Sequence, residues 1–313
     1  MKRLFAANAR QFGTLAVLMV LGGVITVLTP YFLTVPNLLN VAQQTAINAV
    51  IAVGMTLVII SAGIDLSVGS ILAFAGVVLA QGLKAGWPPA LAILAGLGVG
   101  LLCGAANGLL ITLGRLPPFI ATLGMMSVAR GAALLATDGR PISGFGDGFR
   151  WIANGHVAGI PAPVVLMAVV YAAAHFTLRR TIFGRYVFAI GGNEEAALLS
   201  GVPVRRYKIA IYATGGALAA LSAVLLTARL NSAQPIAGLS YELDAIAATV
   251  IGGTSLMGGE GSVLGTLIGA LIMGVLRNGL NLLGVLSFVQ QVVIGAVIIA
   301  AVLLDMLFKQ RKR

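Results

Sequence analysis

Long apolar stretches follow one another along almost the whole chain, and this series limits the possible folds more than any other feature of the sequence. Only helices and closed barrels satisfy their backbone polar groups inside a bilayer, and a spanning helix needs about 20 apolar residues. Hydrophobic residues make up 59% of the 313 residues, charged residues make up 9%, and the mean hydropathy is +1.02. We therefore predict an all-α, polytopic membrane protein that forms a single transmembrane domain over residues 1–313.

The apolar stretches divide into about ten transmembrane helices, some of them broken or re-entrant. The predicted spans are 12–29, 44–62, 68–83, 90–112, 118–136, 163–178, 209–228, 242–257, 262–283 and 287–307. An even number of spans places both chain termini on one side of the membrane. The longest external loop is then 137–162. The first span is not followed by a small-residue cleavage pattern, so we interpret it as a retained helix and not as a secretory signal.

The distribution of basic residues indicates the orientation of the spans. The net charge of +11 would suit a nucleic-acid partner if it were spread over a soluble surface. Instead, 13 of the 20 Lys and Arg residues fall in three segments, with three in 1–11, six in 179–208 and four in 309–313. Basic residues concentrate in the cytoplasmic loops of membrane proteins. We therefore predict cytoplasmic termini, a cytoplasmic segment 179–208 and no nucleic-acid partner.

The segment 179–208 is a polar island between two apolar spans, and it contains the signals of a short helix over 193–200. The signals are an N-cap, an acidic first turn, a C′ glycine and a proline that prevents continuation: Asn193, Glu194 with Glu195, Gly201 and Pro203. A helix this short and this charged cannot span a bilayer. We expect a cytosolic protein to dock on it.

A weak internal repeat relates two glycine-containing segments. AGIDLSVG and GGTSLMGG share Gly, then Leu three residues later, then Gly three residues further, at 62–69 and 252–259. An Asn-Gly-Leu triplet follows each of them, at 107–109 and 278–280, although the spacings differ. Duplicated halves with interrupted helices often mark the pathway of a transporter. Chance matches among 41 glycines are the alternative, and both explanations stay open.

Acidic residues at the breaks between apolar runs have two interpretations. Asp65 could line a solute path or bind an ion, since a carboxylate inside a membrane is costly unless it is paired or hydrated. The favoured interpretation is that Asp65 or Ser67 caps the helix that begins near Val68. Glu242 and Asp244 similarly fall in the predicted first turn of a helix, where the helix dipole favours negative charge.

Polar side chains inside the last spans form a further set of candidates. Arg277 lies well inside a predicted span, so it should face the bundle interior, a partner subunit or water. Uncharged amides suit a neutral, hydroxyl-rich solute because they donate and accept without a counter-charge, although interhelical hydrogen bonding is the favoured alternative. The candidate path residues are Asp65, Ser67, Asn107, Asn278, Asn281, Gln290 and Gln291.

The sequence offers no catalytic or metal-binding pattern. A Walker A loop requires Gly-Lys followed by Ser or Thr, and none of the five lysines follows a glycine. His156 and His175 are the only histidines, and neither has a partner at metal-ligand spacing. Cys103 is the only cysteine, which excludes an internal disulfide. We therefore predict a protein that is not an enzyme, with no catalytic residue, metal site or cofactor in this chain.

Three long motifs carry a resemblance to a known family. They read TLVIISAGIDLSVGSILA, FGRYVFAIGGNEEAALLSGV and ARLNSAQPIAGLSYELDAIAATVIGGTSLMGGEGSVLGTLIGALIMGVLRNGLNLLG. They resemble the ribose-type permeases of bacterial ABC importers, over nearly the whole chain. The resemblance implies a multi-pass subunit of the bacterial inner membrane that dimerises, as a homo- or heterodimer, within the lipid bilayer. It also implies a cytosolic ABC ATPase that holds ATP and magnesium, and a periplasmic or tethered sugar-binding protein.

The resemblance further implies which residues contact the ATPase. They are Gly184, Arg185, Gly191, Gly192, Asn193, Glu194, Glu195, Ser200 and Gly201. The expected function is translocation of a monosaccharide by alternating access, with the energy supplied by the separate ATPase. The alternative is an ion-coupled secondary transporter of a small polar solute that uses Asp65. Arg277 departs from the uncharged residue expected in a sugar path, so it marks a different solute, a heterodimeric partner or a subunit contact.

Overall fold

The computed structural model describes the backbone of residues 2–310 and the side chains of residues 12–303. Its helices in chain order are α1 Lys2–Leu28, α2 Val35–Ile60, α3 Val68–Lys84, α4 Pro89–Thr112, α5 Pro118–Leu135, α6 Asp147–Asn154, α7 Ala162–Arg180, α8 Ile182–Gly192, α9 Glu194–Leu199, α10 Val204–Leu230, α11 Tyr241–Ile251, α12 Val263–Leu282 and α13 Ser287–Gln310. Its short strands are β1 Ile142–Ser143, β2 His156–Val157, β3 Ile160–Pro161 and β4 Ser232–Ala233. The predicted basic clusters at 1–11 and 309–313 lie outside the described side chains.

Helix α2 forms the centre of the bundle. From Thr45 to Ile60 every residue except Asn48 is buried, which fits a helix that is apolar on all sides. Helices α4 and α10 pack at backbone distance, because a side chain on Gly100 or Gly104 would collide with a main-chain carbonyl of α10. The small-residue spacing of α4 therefore serves close helix packing.

The bundle has two distinct ends. At one end, β1 pairs with β4 through Ile142 and Ala233, and Lys84 donates to the carbonyl of Gly144 at 3.0 Å. Helix α6 covers this end and buries Phe149. At the opposite end, helix α9 lies beside the turn between α4 and α5, where Arg115 is exposed.

Six helices within the described residues are long and apolar enough to cross a membrane: α2, α4, α5, α7, α10 and α12. The predicted span 242–257 differs most from the structure. Helix α11 has 11 residues, so it is about 16 Å long, against a hydrocarbon core of about 30 Å. The prediction counted apolar residues and did not consider the backbone: Gly253 adopts positive φ two residues after Ile251, where the helix ends, and Gly258 and Gly259 do so again in the connection that follows.

The chain between α10 and α11 turns back into the bundle. Gly238 has φ of +71° and lies against the backbone of Gly69 at the start of α3. The guanidinium of Arg130 on α5 donates to the carbonyls of Pro235 and Ala237 at 2.6 and 2.8 Å. Helices α3 and α5 thus hold this connection in place.

Candidate functional site

The segment from Ile182 to Gly201, named here the coupling segment, is built by local capping. The Thr181 hydroxyl accepts the Gly184 amide at 3.3 Å at the start of α8. The Asn193 side chain accepts the Ala196 amide at 2.9 Å at the start of α9. Gly201 then takes φ of +82°, as expected of a helix-ending C′ glycine. Helix α9 has six residues, Glu194–Leu199, and lies within the interval 193–200.

The coupling segment contacts the bundle through side chains such as Val187 and, at one point, through backbone atoms. The amide of Gly259, in the connection between α11 and α12, donates to the carbonyl of Ile60 at 2.8 Å. Gly191 lies against the same two residues, and a side chain there would collide with the Ile60 carbonyl. One glycine junction therefore joins the end of α8 to the end of α2 and to the connection that leads into α12. Sequence reasoning missed it, although the glycine pairs at 191–192 and 258–259 were a visible signal.

The outer face of the coupling segment carries both apolar and charged side chains. Leu198 and Leu199 are 61% and 89% exposed. They lie beside the ion pair of Lys208 with Glu194, whose Nζ and Oε2 atoms are 2.5 Å apart. A groove of about 560 Å³ runs along α9, and Arg115, Arg205 and Arg206 are among the residues that line it. Exposed large apolar side chains with a polar rim are typical of a protein interface.

The remaining predicted contact residues of the segment divide by burial. Gly184 and Gly191 are buried, while Arg185, Gly192, Asn193, Glu195, Ser200 and Gly201 are exposed. The exposed members are available to a docking protein, and the buried glycines permit close approach to the bundle.

The first three predicted path residues form one group, named here the Asp65 cluster. The amide and hydroxyl of Ser67 donate to Asp65 Oδ1 at 2.8 and 2.5 Å, and Asn107 donates to the Ser67 hydroxyl at 2.9 Å. All three residues are fully buried. The expected cap of α3 is wrong, because neither side chain bonds to an amide of that helix. The carboxylate instead closes the turn that precedes it.

The other predicted path residues lie on α12 and α13. Asn278 and Asn37 exchange two amide hydrogen bonds of 2.9 and 3.0 Å. Gln290 donates to Asn281 Oδ1 at 2.8 Å, and Gln291 is exposed. No described hydrogen bond links these residues to the Asp65 cluster, so the structure divides the seven residues into two groups. Asn278, Asn281 and Gln290 make interhelical or loop hydrogen bonds, which is the interpretation that the sequence analysis favoured over a solute path.

A third polar group, named here the polar cleft, was missed from the sequence. Its centre is an ion pair in which Arg277 Nη2 lies 2.8 and 3.0 Å from the two carboxylate oxygens of Asp244. Asn48 also donates to Asp244, at 3.3 Å. The cleft has a volume of about 290 Å³, and its polar lining residues are Gln44, Thr45, Asn48, Arg229, Tyr241, Asp244 and Arg277.

Sequence reasoning placed Asp244 in the first turn of a helix, which the structure confirms, and left Arg277 without a partner. The signal that could have joined them was the presence of opposite charges in two otherwise almost uncharged neighbouring spans. Among the described residues, no group of three His, Cys, Asp or Glu side chains could hold a metal ion.

Comparisons with known proteins extend over nearly the whole chain. A family model described as "Branched-chain amino acid transport system / permease component" matches residues 37–302. The ribose import permease protein RbsC of Bacillus subtilis is 52% identical over 96% of this chain and 94% of its own. The Escherichia coli protein of the same name is 50% identical over 93% and 92%. The D-allose transport system permease protein AlsC of Escherichia coli is 40% identical over 98% and 94%. No solved structure matches the chain.

Proposed function

The chain belongs to the family of branched-chain amino acid transport system permease components, as the membrane-spanning subunit of an ABC importer, and from this premise we propose that it translocates a monosaccharide, ribose or a close relative. The observation that carries the proposal is the identity of about one half, over nearly full length, to two proteins named ribose import permeases. The D-allose permease widens the substrate class to related sugars. These relatives set aside the alternative of an ion-coupled transporter that uses Asp65.

An importer of this kind works with a separate ATPase and a sugar-binding protein, so the chain is a transporter component and not an enzyme. The proposal adds a second permease copy, ATP and magnesium on the ATPase, and no cofactor in this chain. It also places residues 1–313 as one domain in the bacterial inner membrane, with both termini and the segment 179–208 in the cytoplasm. The basic clusters support that orientation.

The proposed mechanism is alternating access driven through the coupling segment. The exposed face of α9 docks in the ATPase, which closes on ATP. The displacement passes from α8 through the glycine junction of Gly191, Ile60 and Gly259. Helices α2 and α12 then move with their junction ends, because each is a single rigid element. Both helices line the polar cleft toward the opposite end of the bundle.

The test is reconstitution of the chain with its ATPase and binding protein in liposomes. Wild type should take up D-ribose only when ATP is supplied. Glu194→Arg with Glu195→Arg should abolish uptake and ATPase binding, since it replaces the carboxylates on the docking face by like charges beside Lys208.

The matched control is Asp147→Arg, which reverses an acidic residue in the first turn of α6 at the other end of the bundle. It removes the ion pair with Arg150 and should leave ATPase binding unchanged. Full uptake by the double Glu variant would overturn the docking assignment. Uptake that needs an ion gradient and no ATPase would overturn the importer mechanism.

A further inference from the structure

We propose that the polar cleft is a binding site for the transported sugar within the membrane, an inference that rests on the proposed function. The cleft lies where α2, α10, α11 and α12 meet. Its volume of about 290 Å³ is at the lower limit of small-molecule sites, which run from roughly 300 to 1,000 Å³. The ligand is therefore a single sugar unit.

Two lining atoms lack partners within the part of the chain whose side chains are described. They are Oγ1 of Thr45 and Oδ1 of Asn48. Thr45 is only 3% exposed, and a buried polar atom without a hydrogen bond is destabilising. Native structures retain such atoms where a ligand or water satisfies them. Both residues lie on one turn of α2 and line the cleft, but neither oxygen is open to solvent in this structure. A ligand in the cleft therefore bonds to them when the two side chains rotate toward it.

The charges of the cleft suit a neutral polyol. Asp244 is 4% exposed and accepts hydrogen bonds, whereas Arg277 only donates them. A sugar hydroxyl both donates and accepts, so it can bond to either member of the pair. An ion would meet one member with its own sign of charge, which disfavours binding. Arg229 donates to the exposed Asn40 at 2.9 Å and so lies at the edge of the cleft.

The cleft is also connected to the coupling segment. Helix α2 contributes Thr45 and Asn48 to the cleft and ends at Ile60 in the glycine junction. Helix α12 contributes Arg277 and begins just after the same junction. A displacement of the junction therefore moves both walls of the cleft, which is the requirement for releasing a sugar on demand.

The experiment compares one substitution at two positions of α2. Thr45→Val removes the unpartnered hydroxyl in the cleft. Thr56→Val removes a hydroxyl that donates to the Ala52 carbonyl and bonds to Thr266, away from the cleft. Each variant is reconstituted with the ATPase and binding protein, and ATP-driven uptake of D-ribose is measured per folded complex. We expect at least a fivefold fall for Thr45→Val and no change for Thr56→Val, which should instead melt at a lower temperature.

A second readout is independent of the partners. Excess D-ribose should raise the melting temperature of the purified wild-type chain and of Thr56→Val by on the order of 2 °C. It should leave the melting temperatures of Thr45→Val and Asp244→Asn unchanged. The two threonine variants control for the general effect of a sugar on protein solvation, because they differ only in position.

The outcomes separate the cleft from the proposed function. One outcome would be that the wild type shows no uptake, while D-ribose raises its melting temperature and Thr45→Val abolishes that rise. The importer assignment would then be wrong, and the proposed sugar site in the cleft would stand. If Thr45→Val and Asp244→Asn showed normal uptake and the full rise in melting temperature with D-ribose, the proposed sugar site would be wrong and the importer assignment would stand. Equal falls in uptake for Thr45→Val and Thr56→Val would also overturn it, since the hydroxyl would then act through packing.

Discussion

The Asp65 cluster and the polar cleft both place a carboxylate inside an apolar bundle, and they treat it in opposite ways. Asp65 is fully buried, and its described hydrogen bonds come from one neighbour, Ser67, which in turn holds Asn107. Asp244 is bonded to side chains of two other helices and faces a cleft. Both groups keep buried oxygens without a described partner, Asp65 Oδ2 and Asn107 Oδ1 in the cluster and Thr45 Oγ1 and Asn48 Oδ1 in the cleft. The difference is that the residues of the second group line a cleft that a ligand can enter.

The difference shows that the environment of a buried acid, and not its presence, indicates function. Both residues stand near the end of an apolar run, and both were assigned to helix starts from the sequence. Only the tertiary partners separate them. The largest expected effects of substitution are therefore on folding at Asp65 and on transport at Asp244 and Arg277.

Substitution of Asp65 should have the largest effect on stability. Asp65→Leu removes the acceptor of the Ser67 amide and hydroxyl, and each buried donor left without a partner costs about 1–3 kcal/mol. The yield of monodisperse protein should fall steeply, and Asp65→Asn should restore most of it. Size-exclusion chromatography and thermal unfolding in detergent provide the measurement. Normal yield with lost uptake would place Asp65 on the solute path and break the comparison.

Separation of the Arg277 and Asp244 pair should affect transport more than folding. Arg277→Gln leaves the Asp244 carboxylate, which is only 4% exposed, with Asn48 as its described partner, so a loss of stability of about 3 kcal/mol is expected. Uptake should fall more than tenfold. The double variant with Asp244→Asn should regain stability but not uptake. A double-mutant cycle on both readouts measures this, and recovery of uptake in the double variant would show a purely structural pair.

Replacement of the Asn37 and Asn278 pair should have a smaller effect, because their amides bond only to each other and to the Phe32 carbonyl among the described residues. Asn278→Leu alone leaves Asn37 without its partner and should cost about 1 kcal/mol of stability. Asn278→Leu with Asn37→Leu should recover part of that loss and keep uptake within about twofold. Melting temperatures together with uptake per folded complex test this. A tenfold loss of uptake in the double variant would contradict this and show that the two amides line the solute path.

Substitution of Gln291 should have the smallest effect. Its side chain is exposed, so Gln291→Ala should change stability by less than about 0.5 kcal/mol and leave uptake unchanged. The neighbouring Gln290 is the matched contrast, since it is 8% exposed and bonds to Asn281 and to the Val285 carbonyl. Parallel melting curves of the two alanine variants measure the contrast. A larger loss at Gln291 than at Gln290 would contradict this assignment.

Local signals in the sequence predicted local structure well. Asn193, Gly201 and Pro203 bracket a helix because capping acts within a few residues, and the structure has α9 at that place. The all-α membrane class followed from hydropathy alone. The end of α11 was wrong because apolar content does not report backbone dihedral angles, and positive φ at Gly253 decides that boundary.

The candidate site depended on contacts that no local signal encodes. Asp244 and Arg277 are 33 residues apart, and Asn37 and Asn278 are 241 apart. Their pairing requires the packing of α2, α11 and α12, which hydropathy does not specify. The contribution of Thr45 is less visible still, since a threonine in an apolar helix is ordinary until its hydroxyl is found without a partner.

The glycine junction has a mechanical consequence. At Gly191 and Gly259 the contact with Ile60 is made by main chain, so no side-chain rotamer takes part in this contact. Side chains at an interface can yield to a push by changing rotamer, whereas a peptide group held at hydrogen-bond distance cannot. A backbone contact of this kind deforms very little. A small displacement of the coupling segment is therefore transmitted to α2 and toward α12 with little loss, and even one added methyl group at Gly191 would separate the two backbones.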